Sequence, residues 1–88
     1  MAEGIRLKIV TGSGTALDEP VSYVRIPTAD GSVGVLPGHA PMLCASAAGR
    51  LKYRGEDGVE RFVSVSDGVA GIEGDELTVL VREAKREE

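Results

Sequence analysis

Ile5-Arg6-Leu7-Lys8-Ile9-Val10 alternates apolar and charged side chains with a period of two. Successive side chains of an extended strand point to opposite faces, so Ile5, Leu7 and Ile9 line one face while Arg6 and Lys8 meet water. The next residues, Thr11-Gly12-Ser13-Gly14-Thr15, are glycine and hydroxyls, a turn or bulge signal. Pro20 opens a second run in which Ser22, Val24 and Ile26 share one face and Val21, Tyr23 and Arg25 the other. Pro27 is expected to end that pairing, because it cannot donate to a ladder. Ala29-Asp30-Gly31-Ser32 reads as a tight turn, and Val33 and Val35 then share one face of a short strand, with Gly34 and Leu36 on the other.

The second half repeats the pattern as hairpins. Leu51 and Tyr53 lead into Gly55-Glu56-Asp57-Gly58, and Val63 and Val65 alternate with Phe62 and Ser64 on the return. A run from Val69 to Ile72 meets the turn Glu73-Gly74-Asp75-Glu76, and Leu77, Val79 and Val81 close the last hairpin. Turn chemistry at about ten-residue spacing predicts an all-β sandwich or barrel.

At 88 residues the chain has room for one domain. A chain of this size buries roughly 60–65% of its unfolded surface, a modest core. Aromatic residues are only 3% of the sequence, so Val, Ile, Leu and Ala must supply that core. The closing residues, Arg82-Glu83-Ala84-Lys85-Arg86-Glu87-Glu88, are good helix formers in a stretch too short to be stable alone. They predict at most a short helical turn or a tail. The domain is therefore assigned to residues 1–84, with a charged tail over 85–88.

Composition narrows the function. The net charge is −4 and the pI near 5.0, which disfavours nucleic acid or an anionic membrane surface as main partner. No opening stretch reads as a signal peptide, since Arg6 and Lys8 interrupt the apolar residues, and no apolar run is long enough to cross a bilayer. Cys44 is the single cysteine, either a reactive thiol or a small buried hydrophobe. His39 is the single histidine, so a multi-histidine metal site is excluded. A nucleophile–base pair of Cys44 and His39 lacks an evident third group to orient it. Thr11 to Thr15 follows a strand, but no Gly-Lys-Ser/Thr motif or helix follows to hold a phosphate. Asp57 and Asp75 lie in hairpin turns, where solvated turn formation accounts for them. Neither a catalytic site, a metal nor a cofactor is expected.

One stretch is unusual: Gly31-Ser32-Val33-Gly34-Val35-Leu36-Pro37-Gly38-His39-Ala40-Pro41-Met42-Leu43. Pro37 and Pro41 restrict the backbone on either side of Gly38-His39, giving a stiffened, presented loop. Either His39 hydrogen-bonds within the loop or the loop docks a partner at low entropic cost. This stretch resembles the GxxGxxPGHAPxL segment of the epsilon subunit of rotary ATP synthases, called delta in mitochondria. The likeness extends through the opening strand, Val21 to Ile26, Phe62-Val63-Ser64-Val65-Ser66-Asp67-Gly68-Val69 and Leu77-Thr78-Val79-Leu80-Val81, roughly residues 4 to 84.

The resemblance implies a flattened ten-stranded β-sandwich without an active site, fixed in the central stalk between the gamma subunit and the c-subunit ring. It implies a peripheral membrane protein, on the cytoplasmic face of a bacterial inner membrane or the inner face of an organelle. Carried over residue by residue, Ala29, Asp30, Gly31 and Ser32 match the ring-facing turn. Many relatives have an acidic residue at the position of Ser32, so Asp30 is expected to supply the charge. Thr11, Pro37, Gly38, His39, Ala40, Pro41 and Cys44 match the gamma-facing side. The family's bacterial members continue into an inhibitory helical hairpin, which in some binds ATP. The sequence stops at Glu88, which is consistent with a naturally short subunit or a fragment lacking those residues. The competing reading is a small β-barrel binding module for another protein or for nucleic acid. Low aromatic content and acidic balance count against single-strand stacking. A small hydrolase or metal enzyme is disfavoured by the missing ligand cluster.

Overall fold

The computed structural model describes residues 4–38 and 40–87. Within them the alternation of the sequence becomes nine β-strands: β1 (Ile5–Thr11), β2 (Gly14–Thr28), β3 (Gly31–Val35), β4 (Met42–Ser46), β5 (Gly49–Gly55), β6 (Glu60–Val65), β7 (Gly68–Glu73), β8 (Glu76–Val81) and β9 (Ala84–Arg86). The spatial order is β4-β7-β8-β1-β2-β5-β6-β9, with β3 added beside β2. All pairings are antiparallel except β1 with β8.

The 15 residues of β2 hold the two layers of the sandwich together. Its first part, through Val21, pairs with β1. Its last part pairs with β5 on one side, as far as Arg25, and with β3 on the other, as far as Thr28. One long strand thus serves both layers, and counting its halves separately turns nine strands into ten pairing segments.

Two irregularities reset the side-chain parity. Ile9 pairs with Leu17 but Val10 with Thr15, which leaves Ala16 as an extra residue beyond the Thr11–Gly14 turn. A second shift lies between Val21 and Tyr23. It overturns the simple alternation expected for this run. Val21 and Val24 both have no exposure, although strict alternation puts them on opposite faces. Ser22 is half-buried and donates its hydroxyl to the carbonyl of Arg54 at 3.3 Å.

Pro27 does not end the strand, contrary to expectation; it pairs with Ser32 inside β2. The β5 ladder has already stopped at Arg25, so no donor is missed there, and the Pro27 carbonyl accepts from the Ala47 N–H at 2.9 Å. The closing helix formers are also not helical. Ala84–Arg86 pairs antiparallel with β6, and the Glu87 N–H donates to the Phe62 carbonyl at 3.0 Å. The open edge of β6 offers a ladder immediately, whereas one isolated helical turn bears the full cost of nucleation. Pairing therefore continues through Lys85 and Arg86, past residue 84.

The core is aliphatic, as the composition requires. Leu7, Ile9, Val21, Val24, Ile26, Val35, Leu51, Leu77 and Val79 have no exposure, and Tyr53 is the one buried aromatic residue in this cluster. Each such side chain contributes roughly 1.5–3 kcal/mol relative to being left in water.

Candidate functional site

The turn Ala29-Asp30-Gly31-Ser32 is fully exposed at the tip of the β2–β3 hairpin. Thr28 pairs with Gly31 across it, and Gly31 has φ 135°, a value that suits a residue without Cβ. Arg25 Nη1 donates to Ser32 Oγ at 2.7 Å, which fixes the return strand against β2. The Asp30 carboxylate has no hydrogen bond or ion pair among the described residues and faces solvent.

At the other end of β3 the chain turns through Pro37-Gly38 into Ala40-Pro41. Gly38 has φ 82°. Pro37 is half-buried, and Gly38, Ala40 and Pro41 are exposed. His39 lies outside the described residues. Pro41 leads straight into β4, a strand missed in the sequence because Met42, Cys44 and Ser46 form only a mixed apolar face. Met42 and Cys44 pack against the core, and their register partners Ile72 and Ala70 are buried.

The alternate residues of β4 point out. Leu43 is 77% exposed and Ala45 is exposed. Their register neighbours extend this outward face. Leu43 stands beside Gly71, which pairs with Thr78; Ala45 stands beside Val69, which pairs with Leu80 and then Val10. Val69 is 41% and Leu80 51% exposed. The result is a largely apolar outer face on β4, β7 and β8, which reaches β1 at Val10 and is bounded there by Lys8 beside Thr78.

The residues matched to gamma contact are not gathered at one point. The loop at Pro37 to Pro41 and Thr11 lie at opposite ends of this sheet, because Met42 pairs with Ile72 while Ser46 pairs with Gly68 and Gly68 with Val81. Those rows are four residues apart, about 13 Å along the strand. Thr11 Oγ1 accepts from the Ser13 N–H at 3.1 Å and donates to the Gly14 carbonyl at 3.3 Å, holding its own turn. Cys44 is half-buried and inward; its neighbours Leu43 and Ala45 present the outer surface. Sequence reasoning missed Leu43, Ala45, Val69 and Leu80. The available signal was parity: Leu80 is apolar although Leu77, Val79 and Val81 already fill the inner face of its strand.

Elsewhere the titratable groups act in turns. Asp57 Oδ1 accepts from the Val59 N–H at 3.0 Å, and Asp57 Oδ2 pairs with Arg61 Nη2 at 3.0 Å. The Arg61 guanidinium and then the Val59 amide hold the Asp57 carboxyl down at about 2. Burial pushes the Tyr53 hydroxyl up. No group of three or more metal-ligating side chains occurs among the described residues, and no helix there is long and apolar enough to cross a membrane.

The chain and its fold are similar to known proteins. The family model described as ATP synthase, Delta/Epsilon chain, beta-sandwich domain, matches residues 4–87. The ATP synthase epsilon chain of Geotalea uraniireducens is 41% identical over 86 residues, covering 98% of this chain and 62% of that one. That of Nitratidesulfovibrio vulgaris (strain DP4) is 41% identical over 88 residues, covering 100% and 65%. The chain thus spans a little under two thirds of these relatives' length. A chain in the cryo-EM structure of the Euglena gracilis mitochondrial ATP synthase, OSCP/F1/c-ring in rotational state 1, superposes with a TM-score of 0.90 at 27% identity. The match covers 98% of this chain and 55% of that one. With the strand order, the presented loop and a family match from Gly4 to Glu87 in agreement, this chain belongs to the family of the β-sandwich domain of the ATP synthase delta/epsilon chain.

Proposed function

We propose that this domain is a non-catalytic part of the central stalk of a rotary ATP synthase, joining the gamma subunit to the c-subunit ring. In that role it supports the coupling of ion transport to ATP synthesis. The observation that carries this reading is β4. Its N-terminal end continues the presented loop at Pro37 to Pro41, and just past its C-terminal end Ala47 is bonded to Pro27, next to the hairpin turn at Ala29 to Ser32. One strand therefore spans the distance between the two proposed contacts.

The apolar outer face around Leu43, Val69 and Leu80 suits gamma, because a protein partner desolvates it. Pro37, Gly38, His39, Ala40 and Pro41 dock beside it, Thr11 at its far end, and Cys44 acts through its strand rather than its thiol. The turn at Ala29, Asp30, Gly31 and Ser32 meets the ring, with Asp30 as the free anion. The domain works as a peripheral protein at the cytoplasmic face of a bacterial inner membrane, needing no cofactor. The test is affinity capture on this chain from detergent-solubilised membranes, with mass spectrometry of what is retained. Recovery of gamma and the c subunit supports the reading; recovery of neither removes it.

A further inference from the structure

We infer that the outer face of β2, β5 and β6, on the layer opposite the apolar face, is a second docking surface, and that its partner is an acidic protein segment. The chain carries a net −4, yet this face presents Arg25, Arg50, Lys52 and Arg54, and among the described residues only Glu60 and Glu87 pair with them. The register puts two cations side by side, Arg25 opposite Lys52, and sets Arg54 opposite the carboxylate of Glu60. Like charges directly opposite each other on neighbouring strands repel.

The internal carboxylates relieve only part of this. Glu60 Oε2 lies 3.5 Å from Arg54 Nη2 and 3.8 Å from Lys52 Nζ, so one carboxylate serves two cations. Arg25 has no carboxylate within ion-pair distance among the described residues. Its guanidinium bonds the Ser32 hydroxyl and lies 5.7 Å from the centroid of Tyr23, which Arg54 approaches at 5.5 Å from its own position. Tyr23 in turn lies over Gly34, where a Cβ would stand 2.8 Å from its hydroxyl. The Arg25 side chain is thus held out on a braced surface with unused donors.

The chain itself shows how a carboxylate sits here. Glu87 lies across Arg50, with Oε1 3.1 Å and Oε2 3.2 Å from Nε and Oε1 3.0 Å from Nη2, while Ser64 Oγ donates to Oε2 at 2.9 Å. Arg50, and after it Ser64, hold that carboxyl below its ordinary range. Arginine forks match planar carboxylates in this way, and Arg25 and Arg54 repeat the fork without a full complement of acids. A bilayer is the poorer fit, because none of the exposed large apolar residues, Leu36, Leu43, Val59, Val69 and Leu80, occupies an outward position of β2, β5 or β6. A nucleic-acid backbone is opposed by the acidic remainder of the chain.

The test is a heteronuclear NMR titration of the 88-residue chain with an octaglutamate peptide, with octalysine, oligothymidylate and phosphatidylglycerol vesicles as parallel arms. Octaglutamate is expected to shift the amides of Tyr23, Arg25, Lys52 and Arg54, with affinity falling steeply between about 20 and about 200 mM salt. Arg25→Glu with Arg54→Glu should weaken it by roughly tenfold or more. Arg25→Ala, which removes an exposed side chain and its bond to the Ser32 hydroxyl but leaves the β2–β3 ladder in place, should weaken it less and leave the spectrum folded. Absence of shifts, shifts confined to other faces, unchanged affinity in both variants, or tighter binding of vesicles or oligothymidylate overturns the assignment.

Discussion

Gly68 packs its α-carbon against the main chain of Leu80: a Cβ at position 68 would overlap the Leu80 carbonyl oxygen and stand 2.9 Å from Cγ1 of Val81. Backbone cannot step aside as a flexible side chain can, so β7 and β8 would have to separate. Gly68→Ala is expected to cost about 2–4 kcal/mol, against less than about 1 kcal/mol for Gly71→Ala, whose Cβ would meet Leu43 Cδ1 at an ordinary 3.5 Å. Urea unfolding of the two variants measures the contrast, and equal midpoints would contradict the close approach.

The shift between Val21 and Tyr23 gives a second test. Val21 is fully buried and Arg25 exposed, although both fall on one side of a regular strand. Val21→Thr places a hydroxyl in the aliphatic core and should cost about 1–3 kcal/mol. Arg25→Thr should stay within about 0.5 kcal/mol. Similar losses at both sites would mean that the strand is regular.

Asp57 reports on pH. Its folded carboxyl titrates at about 2, below the ordinary 3.8. A depressed value stabilises the fold fully above the unfolded pKa, and that contribution disappears as pH falls from about 3.8 toward 2. Carboxyl NMR titration should find the low value in the parent chain. In Arg61→Ala it should rise toward the ordinary value, because the largest cause of the depression is gone. An unmoved midpoint would place the cause elsewhere.

Leu43 separates docking from folding. At 77% exposure it contributes little to the core, so Leu43→Glu should leave the unfolding midpoint nearly unchanged. At the proposed gamma contact, a charge buried in an apolar interface should weaken binding by roughly 10- to 100-fold. Surface plasmon resonance with purified gamma measures this, and undiminished affinity would move that interface off the β4 face.

The hairpin turn is tested by coupling. Asp30→Arg should loosen proton or sodium pumping relative to ATP hydrolysis without abolishing assembly, since a single rim carboxylate contributes about 0–1 kcal/mol. Adding Gly31→Val, at φ 135°, should distort the turn and loosen coupling further. Reconstituted enzyme that stays fully coupled with both changes would overturn the proposed ring contact at this turn.

Where one face of a strand was aliphatic and the other charged, the elements were legible in the sequence. Ile5, Leu7 and Ile9, and again Leu77, Val79 and Val81, are buried as their alternation requires. Legibility failed where a neighbour decided. Val21 enters the core because of a register shift that only pairing with β5 creates. Pro27 is tolerated because β5 has already ended. Ala84–Arg86 follows the edge of β6 against its own helix propensity. In the candidate site, the hairpin turn and the proline loop stood out as turn chemistry. The outer face did not, because Leu43 and Val69 become one surface only when β4 lies beside β7.

The one parallel pairing among the described residues has a bearing on how the chain is made. β1 is made well before its neighbour β8 and finds it only when Leu77 can be brought beside Leu7, closing a loop of about 70 residues. Until then β1 has a hairpin partner in β2 and one bare edge, in a topology whose many distant pairings favour slow folding. The β1 edge is therefore exposed to strand capture by other chains until β8 has been made. Lys8, at 35% side-chain exposure and 3.6 Å from Glu76 in the finished fold, stands on that strand as a charge that resists the wrong partner before it meets the right one.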